Sequence, residues 1–134
     1  MSLIYKINAP VTPEEFARLL RSSGLSERRP LEDDSCIAGM INNSNLLISA
    51  WQKDHLVGIA RSMTDFHYAC YLSDLAVDGN LQKQGIGKKL IEMTTSQLGE
   101  RCKLILLAAP AANEYYRALG FDEHPRCWVL DQKS

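Results

Sequence analysis

The sequence predicts an α/β chain (α+β, on one mixed sheet) with the element order β-α-α-β-β-β-α-β-α-β. Three observations carry that prediction. The apolar runs "NLLISAW" and "HLVGIARSM" are separated only by "QKD", which reads as a hairpin. The unit from Tyr71 to Ala109 runs strand, glycine turn, helix, strand, and such a crossover places its two strands parallel. The run "KLILLAA", Lys103 to Ala109, is nearly all apolar, as expected of a strand covered on both faces.

The elements follow in order. Leu3, Tyr5 and Ile7 alternate with other residues, as in a short half-buried strand. In "TPEEFARLLRSSG", Thr12 caps a helix, Pro13 suits its first position, and Glu15 completes a capping box. Phe16, Leu19 and Leu20 form its apolar stripe and Gly24 ends it. After the polar loop "LSERRP", a second helix is predicted from about Leu31 to Asn42, with Ile37, Met40 and Ile41 on one face. The hairpin follows, then a third meander strand from about Tyr68 to Val77. The next helix turns Ile86, Leu90, Ile91 and Leu98 inward and Lys88, Lys89 and Glu92 outward. After "KLILLAA", "ANEYYRALGF" gives a short helix closed by Gly120, and "RCWVL" reads as a last strand.

At 134 residues, with no repeat or linker, a single domain is expected over residues 3–131. The formal net charge of -1 argues against a nucleic-acid binder working through a global basic field. The four cysteines form no CxxC pair, so a zinc site is not expected and no metal is assigned; they read as buried thiols in a reducing compartment. The first residues are too polar for a signal peptide, and no apolar run is long enough for a membrane span. A cytoplasmic protein with no membrane partner is expected.

The chemistry starts at "LQKQGIGKKLIE", Leu81 to Glu92. Glycines just before a helix let an anion approach the main chain at a helix N-terminus. A Walker A loop, GxxxxGK(S/T), fails twice, at Gln82 and at Lys89. A dinucleotide fingerprint needs a third glycine where Leu90 stands. Gln82-Lys83-Gln84-Gly85-Ile86-Gly87 does match (R/Q)xxGx(G/A), the acyl-CoA pyrophosphate loop of the GCN5-related N-acetyltransferases. "YLSDLAV" before the loop resembles that family's fourth strand, and "NEYYRALGF" resembles its YxxxGF segment. The chain therefore resembles a small, single-domain member of the GNAT superfamily.

That resemblance implies a GNAT-type fold whose central sheet splays, and acetyl-CoA as cosubstrate. The pyrophosphate is expected on the main chain and side chains of Gln82, Lys83, Gln84, Gly85, Ile86, Gly87 and Lys88. The pantetheine arm is expected to lie along Leu75, Ala76 and Val77 like an added strand. The Val77 N–H becomes the candidate oxyanion donor. Tyr116, at the YxxxGF position, is the candidate acid for the leaving sulfur, with Tyr115 as competitor. Asn113 is expected to contact the CoA arm or cap its helix. Asp74 is the first candidate base, placed by alternation on the face of Leu72 and Ala76, with Asp65 and His67 behind it. Arg28 and Arg29 on one loop, and Asp65, Phe66 and Tyr68 on another, are expected to wall the acceptor pocket. The expected reaction is acetyl transfer to a primary amine by direct attack on the thioester, on a small molecule rather than a protein lysine or N-terminus. A CoA-binding sensor or subunit without turnover is the alternative. Monomer and homodimer are both compatible with the sequence.

Overall fold

A computed structural model describes residues 2–25 and 28–132. One five-stranded sheet runs in the order β1 (Ile4–Ile7), β2 (Leu46–Gln52), β3 (His55–Thr64), β4 (Ala69–Val77), β5 (Lys103–Ile105). The first four strands are antiparallel to their neighbours and β5 is parallel to β4. Helices α1 (Pro13–Ser23) and α2 (Asp34–Asn42) cover one face, and α3 (Ile86–Ser96) covers the other. A short α4 (Asn113–Ala118) follows β5.

The two faces make two cores. Phe16, Leu19, Leu20, Ile37 and Ile41 pack on Leu47, Trp51, Ile59 and Ala76. Ile86, Leu90 and Ile91 pack on Leu46, Ile48, Ala50, Ala60 and Leu72. Strand alternation in β2 supplies both, odd numbers to one side and even numbers to the other. The capping box of α1 forms as expected, Thr12 Oγ1 accepting from Glu15 N and Glu15 Oε1 accepting from Thr12 N.

Several expectations change. Helix α2 starts at Asp34 because the Asp33 side chain accepts from Cys36 N and caps it there. Ile7 is exposed. Cys36 and Cys127 are exposed, Cys102 is half-buried, and of the four only Cys70 is buried. Strand β5 is shorter than expected and covered on one face: Leu104 and Leu106 pack towards α3, while Ile105 and Leu107 are exposed. No strand follows α4 among the described residues, and Trp128 is 89% exposed, so "RCWVL" does not pair here. No helix among the described residues is long and apolar enough to cross a membrane.

Candidate active site

Strands β4 and β5 pair only at Ala69↔Lys103, Cys70↔Leu104 and Tyr71↔Ile105. Beyond Tyr71, β4 runs on to Val77 with no β5 partner, so the sheet opens into a gap. Within this stretch β4 carries a bulge: Arg61 pairs with Asp74 and Ser62 with Leu72, leaving Ser73 unpaired. The extra residue switches faces. Cys70 and Leu72 face α3, and after the bulge so do Leu75 and Val77, while Asp74 and Ala76 face α1 and α2. The expectation that Asp74 shares a face with Leu72 is thereby corrected; simple alternation counts one residue too few.

The bulge is stitched by two arginines. Asp74 is 1% exposed, and its two oxygens accept from Arg29 Nε and Arg61 Nε, each at 2.5 Å. Arg29 Nη2 donates to the Ser73 carbonyl at 3.1 Å, and Arg61 Nη2 donates to Ser73 Oγ at 2.8 Å. Arg61 Nη1 also donates to the Met40 carbonyl at the end of α2, and its guanidinium lies over the Phe16 ring. A carboxylate held by two guanidiniums has no free face for a substrate amine, so the geometry makes Asp74 an anchor rather than the base. Arg61 drew no attention in the sequence. Its one signal was a charge inside the otherwise apolar run "HLVGIARSM".

A cavity of about 610 Å³ fills the gap. Leu75, Leu106, Ala108 and Tyr116 line its inner part, and Arg28, Arg29 and Asp131 also reach it. Asp78 N donates to the Val57 carbonyl on β3. Amide direction alternates along a strand, so the Val77 N–H one residue earlier points to the other side, into the gap. Burial, reinforced by the neighbouring Tyr115, pushes the Tyr116 hydroxyl up to about 12. Its ring stacks edge-on with Phe121, and the turn is closed by Phe121 N donating to the Tyr116 carbonyl, with Gly120 at φ 96°. A shallower cavity at Pro10, Ile41 and Leu47 contains no titratable side chain.

The glycine loop sits at the start of α3. Gly85 is its cap residue at φ 85°, with no side-chain cap, so the first N–H groups of the helix stay open. Lys83, at φ 66°, and Gln84 and Lys88 are exposed around it, and Ile86 is buried, offering only main chain. Gln82 points elsewhere: its amide donates to the Ser23 and Val77 carbonyls and ties the loop to α1 and β4. The two tyrosines separate as helical geometry requires. Tyr116 lines the cavity, whereas the Tyr115 hydroxyl rests against Gly87.

Other candidates move away from the gap. Asn113 is the exposed first residue of α4, whose cap is Ala112, so Asn113 does not cap it. Asp65, Phe66, His67 and Tyr68 lie before β4, at the end of the sheet where β5 is still paired, and do not line the cavity. Asp65 Oδ1 accepts from the amides of His67, Tyr68 and Ala69, which holds its carboxyl down to about 2. It fastens a turn. Part of the loop expected to wall the pocket, residues 26 and 27, lies outside the described residues. Asp131 was missed because nothing around it forms a motif. No group of three His, Cys, Asp or Glu side chains suited to a metal ion occurs among the described residues.

Comparison with known proteins agrees with the fold. A family model described as an acetyltransferase (GNAT) domain matches residues 24–127. The histone acetyltransferase TAP1 of Glycine max is 34% identical over 111 residues, covering 73% of this chain and 47% of that protein. The chain thus spans about half the length of that relative. A probable acetyltransferase of Staphylococcus aureus has a similar fold, with TM-score 0.76 at 21% identity over 98% of this chain and 100% of its own. The aminoglycoside N-acetyltransferase AAC(6')-Iy, solved with CoA, has TM-score 0.73 at 15% identity over 99% and 96%. With a splayed β4–β5 pair, a bulged β4, a glycine loop opening α3 and a match over most of its length, the chain belongs to the GNAT acetyltransferase family.

Proposed function

We propose that the protein is an N-acetyltransferase that moves the acetyl group of acetyl-CoA to the primary amine of a small molecule. The observation that supports this most is the gap itself. It has a half-buried tyrosine on its wall, the Val77 N–H turned away from β3 and, at the start of the helix that follows β4, an uncapped helix N-terminus. These fit a long anionic thioester. The open amides after Gly85, with Lys83 and Lys88, suit a pyrophosphate. The unpaired edge of β4 suits the amides of a pantetheine arm.

The thioester supplies an activated carbonyl; the chain supplies position and polarity. Val77 N–H donates to the carbonyl oxygen as it gains charge. The new N–C bond forms as the C–S bond breaks. A tyrosine raised to about 12 does not surrender its proton outright to a thiolate near 8.5. Tyr116 instead holds a hydrogen bond on the departing sulfur and relays to it the proton that the amine loses, through water in the open cavity. This refines the expected general-acid role. Asp74 acts one step back: by fixing the bulge it holds the main chain leading to Val77 in register.

Calorimetry with acetyl-CoA and a turnover assay across an amine panel test the reading. Wild type is expected to bind acetyl-CoA and to acetylate at least one amine. Tyr116→Phe is expected to lose about 10- to 100-fold in kcat with little change in KM for acetyl-CoA, a loss at the low end for a proton-transfer group. No binding at millimolar acetyl-CoA would sink the reading. Binding without turnover of any amine would leave a CoA-binding subunit in its place.

A further inference from the structure

The charges on the cavity wall point to a substrate class. Ionic side chains reach the cavity at Arg28, Arg29 and Asp131. Arg29 is spent on Asp74 and the Ser73 carbonyl. The ion pairs among the described residues join Asp74 to Arg29 and Arg61, and Arg117 to Glu114 and Glu123. Arg28 and Asp131 enter none of them. They are not paired with each other either, although both line the same cavity, one from the loop before α2 and one from the segment after α4. The same wall also carries the apolar Leu25, Met40 and Leu107 beside the polar Tyr71 and Ser73.

We infer that the acceptor is a small zwitterion, an amino acid or close analogue with an apolar side chain, whose carboxylate is held by Arg28 and whose ammonium is first met by Asp131. The inference rests on the acetyl-transfer reading above. A cation and an anion that enter no ion pair among the described residues, on one cavity wall with Leu25, Met40 and Leu107, match a ligand with both charges and a partly apolar body. A simple alkyl amine satisfies Asp131 but brings its positive charge into the cavity that Arg28 lines, which is unfavourable, and leaves the guanidinium without a partner. A polycation is worse on both counts. Arg28 is a good reader of this difference because its planar fork can take a carboxylate through two hydrogen bonds. Selection then comes from the mismatch with amines lacking a carboxylate as much as from the fit. The acyl transfer itself is unchanged: the amine is presented towards Val77 and Tyr116 after losing its proton to water.

The test compares each amino acid with the amine that lacks only its carboxylate: leucine with isopentylamine, phenylalanine with phenethylamine, methionine with 3-(methylthio)propylamine. Binding to the CoA complex is followed by calorimetry and turnover by thiol release. At least one pair is expected to favour the amino acid by tenfold or more in both readouts. Arg28→Gln is expected to bring that ratio towards one without a change in melting temperature. Asp131→Asn is expected to weaken both members of the pair. Equal use of the two members, preference for the simple amine, binding of neither, or an Arg28→Gln variant that keeps the ratio would each overturn the inference. In all of these cases acetyl-CoA still binds and some amine of the wider panel is still acetylated, which separates them from failure of the acetyl-transfer reading, where acetyl-CoA does not bind or no amine turns over.

Discussion

Gly87 gives a sharp quantitative test of the geometry at the start of α3. The loop pattern (R/Q)xxGx(G/A) admits alanine at this position, and alanine within a helix is worth about 1 kcal/mol over glycine. Here, however, a Cβ would fall well under 3.0 Å from the Tyr115 hydroxyl, with the Tyr115 Cζ next at 3.5 Å, an ordinary contact. The ring must therefore swing away, losing its edge-on stack with Tyr116, which is worth roughly 0.5–1.5 kcal/mol. Residual crowding adds on the order of 1 kcal/mol. Gly87→Ala is thus expected to be about 0.5–1.5 kcal/mol destabilising on balance. Removing the hydroxyl removes the clash. In a Tyr115→Phe background the same substitution is expected to stabilise by about 1 kcal/mol. Urea denaturation of the four proteins closes the cycle, with an expected coupling of roughly 1.5–2.5 kcal/mol. Additivity within about 0.5 kcal/mol would refute the placement of Tyr115 over the loop.

Three further expectations follow from the same geometry. Asp74→Ala leaves Arg61 buried without its carboxylate and should cost about 3–5 kcal/mol, read as a lowered urea midpoint; a loss under 1 kcal/mol would contradict the buried triad. Gly85→Ala meets no atom within 4 Å, so its penalty is backbone strain alone, about 1–2 kcal/mol at φ 85°, with weaker acetyl-CoA binding; a fully stable variant would show that the left-handed turn is absent. The Tyr116 hydroxyl is raised to about 12 from 10.0, so the unfolded chain loses this proton first. Stability from this group is therefore complete below about pH 10 and falls between pH 10 and 12; Tyr116→Phe should flatten that part of the stability–pH curve, and an unchanged slope would exclude Tyr116 as its source.

Local signals made much of this molecule legible. The Thr12–Glu15 capping box, the Gly24 and Gly120 helix ends and the glycine turn into α3 are each written within a few residues, and each formed where expected. The site was harder to read because its decisive features join distant segments. Arg29 and Asp74 are 45 positions apart, and nothing in either neighbourhood announces the pair. The bulge at Ser73 depends on pairing with β3, so counting alternate residues along β4 alone assigned Asp74 the wrong face-mates. The turn at Asp65 looked like a pocket wall because it is next to β4 in sequence, yet it lies at the strand's other end. "RCWVL" has a strand's composition, but a strand also needs a neighbour, and none is paired with it here.

The Arg29–Asp74 pair has a consequence for redesign. Arg28 and Arg29 are adjacent in one loop and both reach the cavity, but Arg29 also grips Asp74 and the Ser73 carbonyl at the bulge of β4. Loops of this kind are natural places to graft new specificity, since they tolerate exchange better than strands. In this protein the loop is also a bolt. A transplanted segment that varied position 28 would change the cavity wall alone, whereas one that lost the guanidinium at position 29 would loosen the bulge of β4 itself. Libraries aimed at new substrates should therefore hold Arg29 fixed and treat the pair as one adjustable part mounted on one structural part.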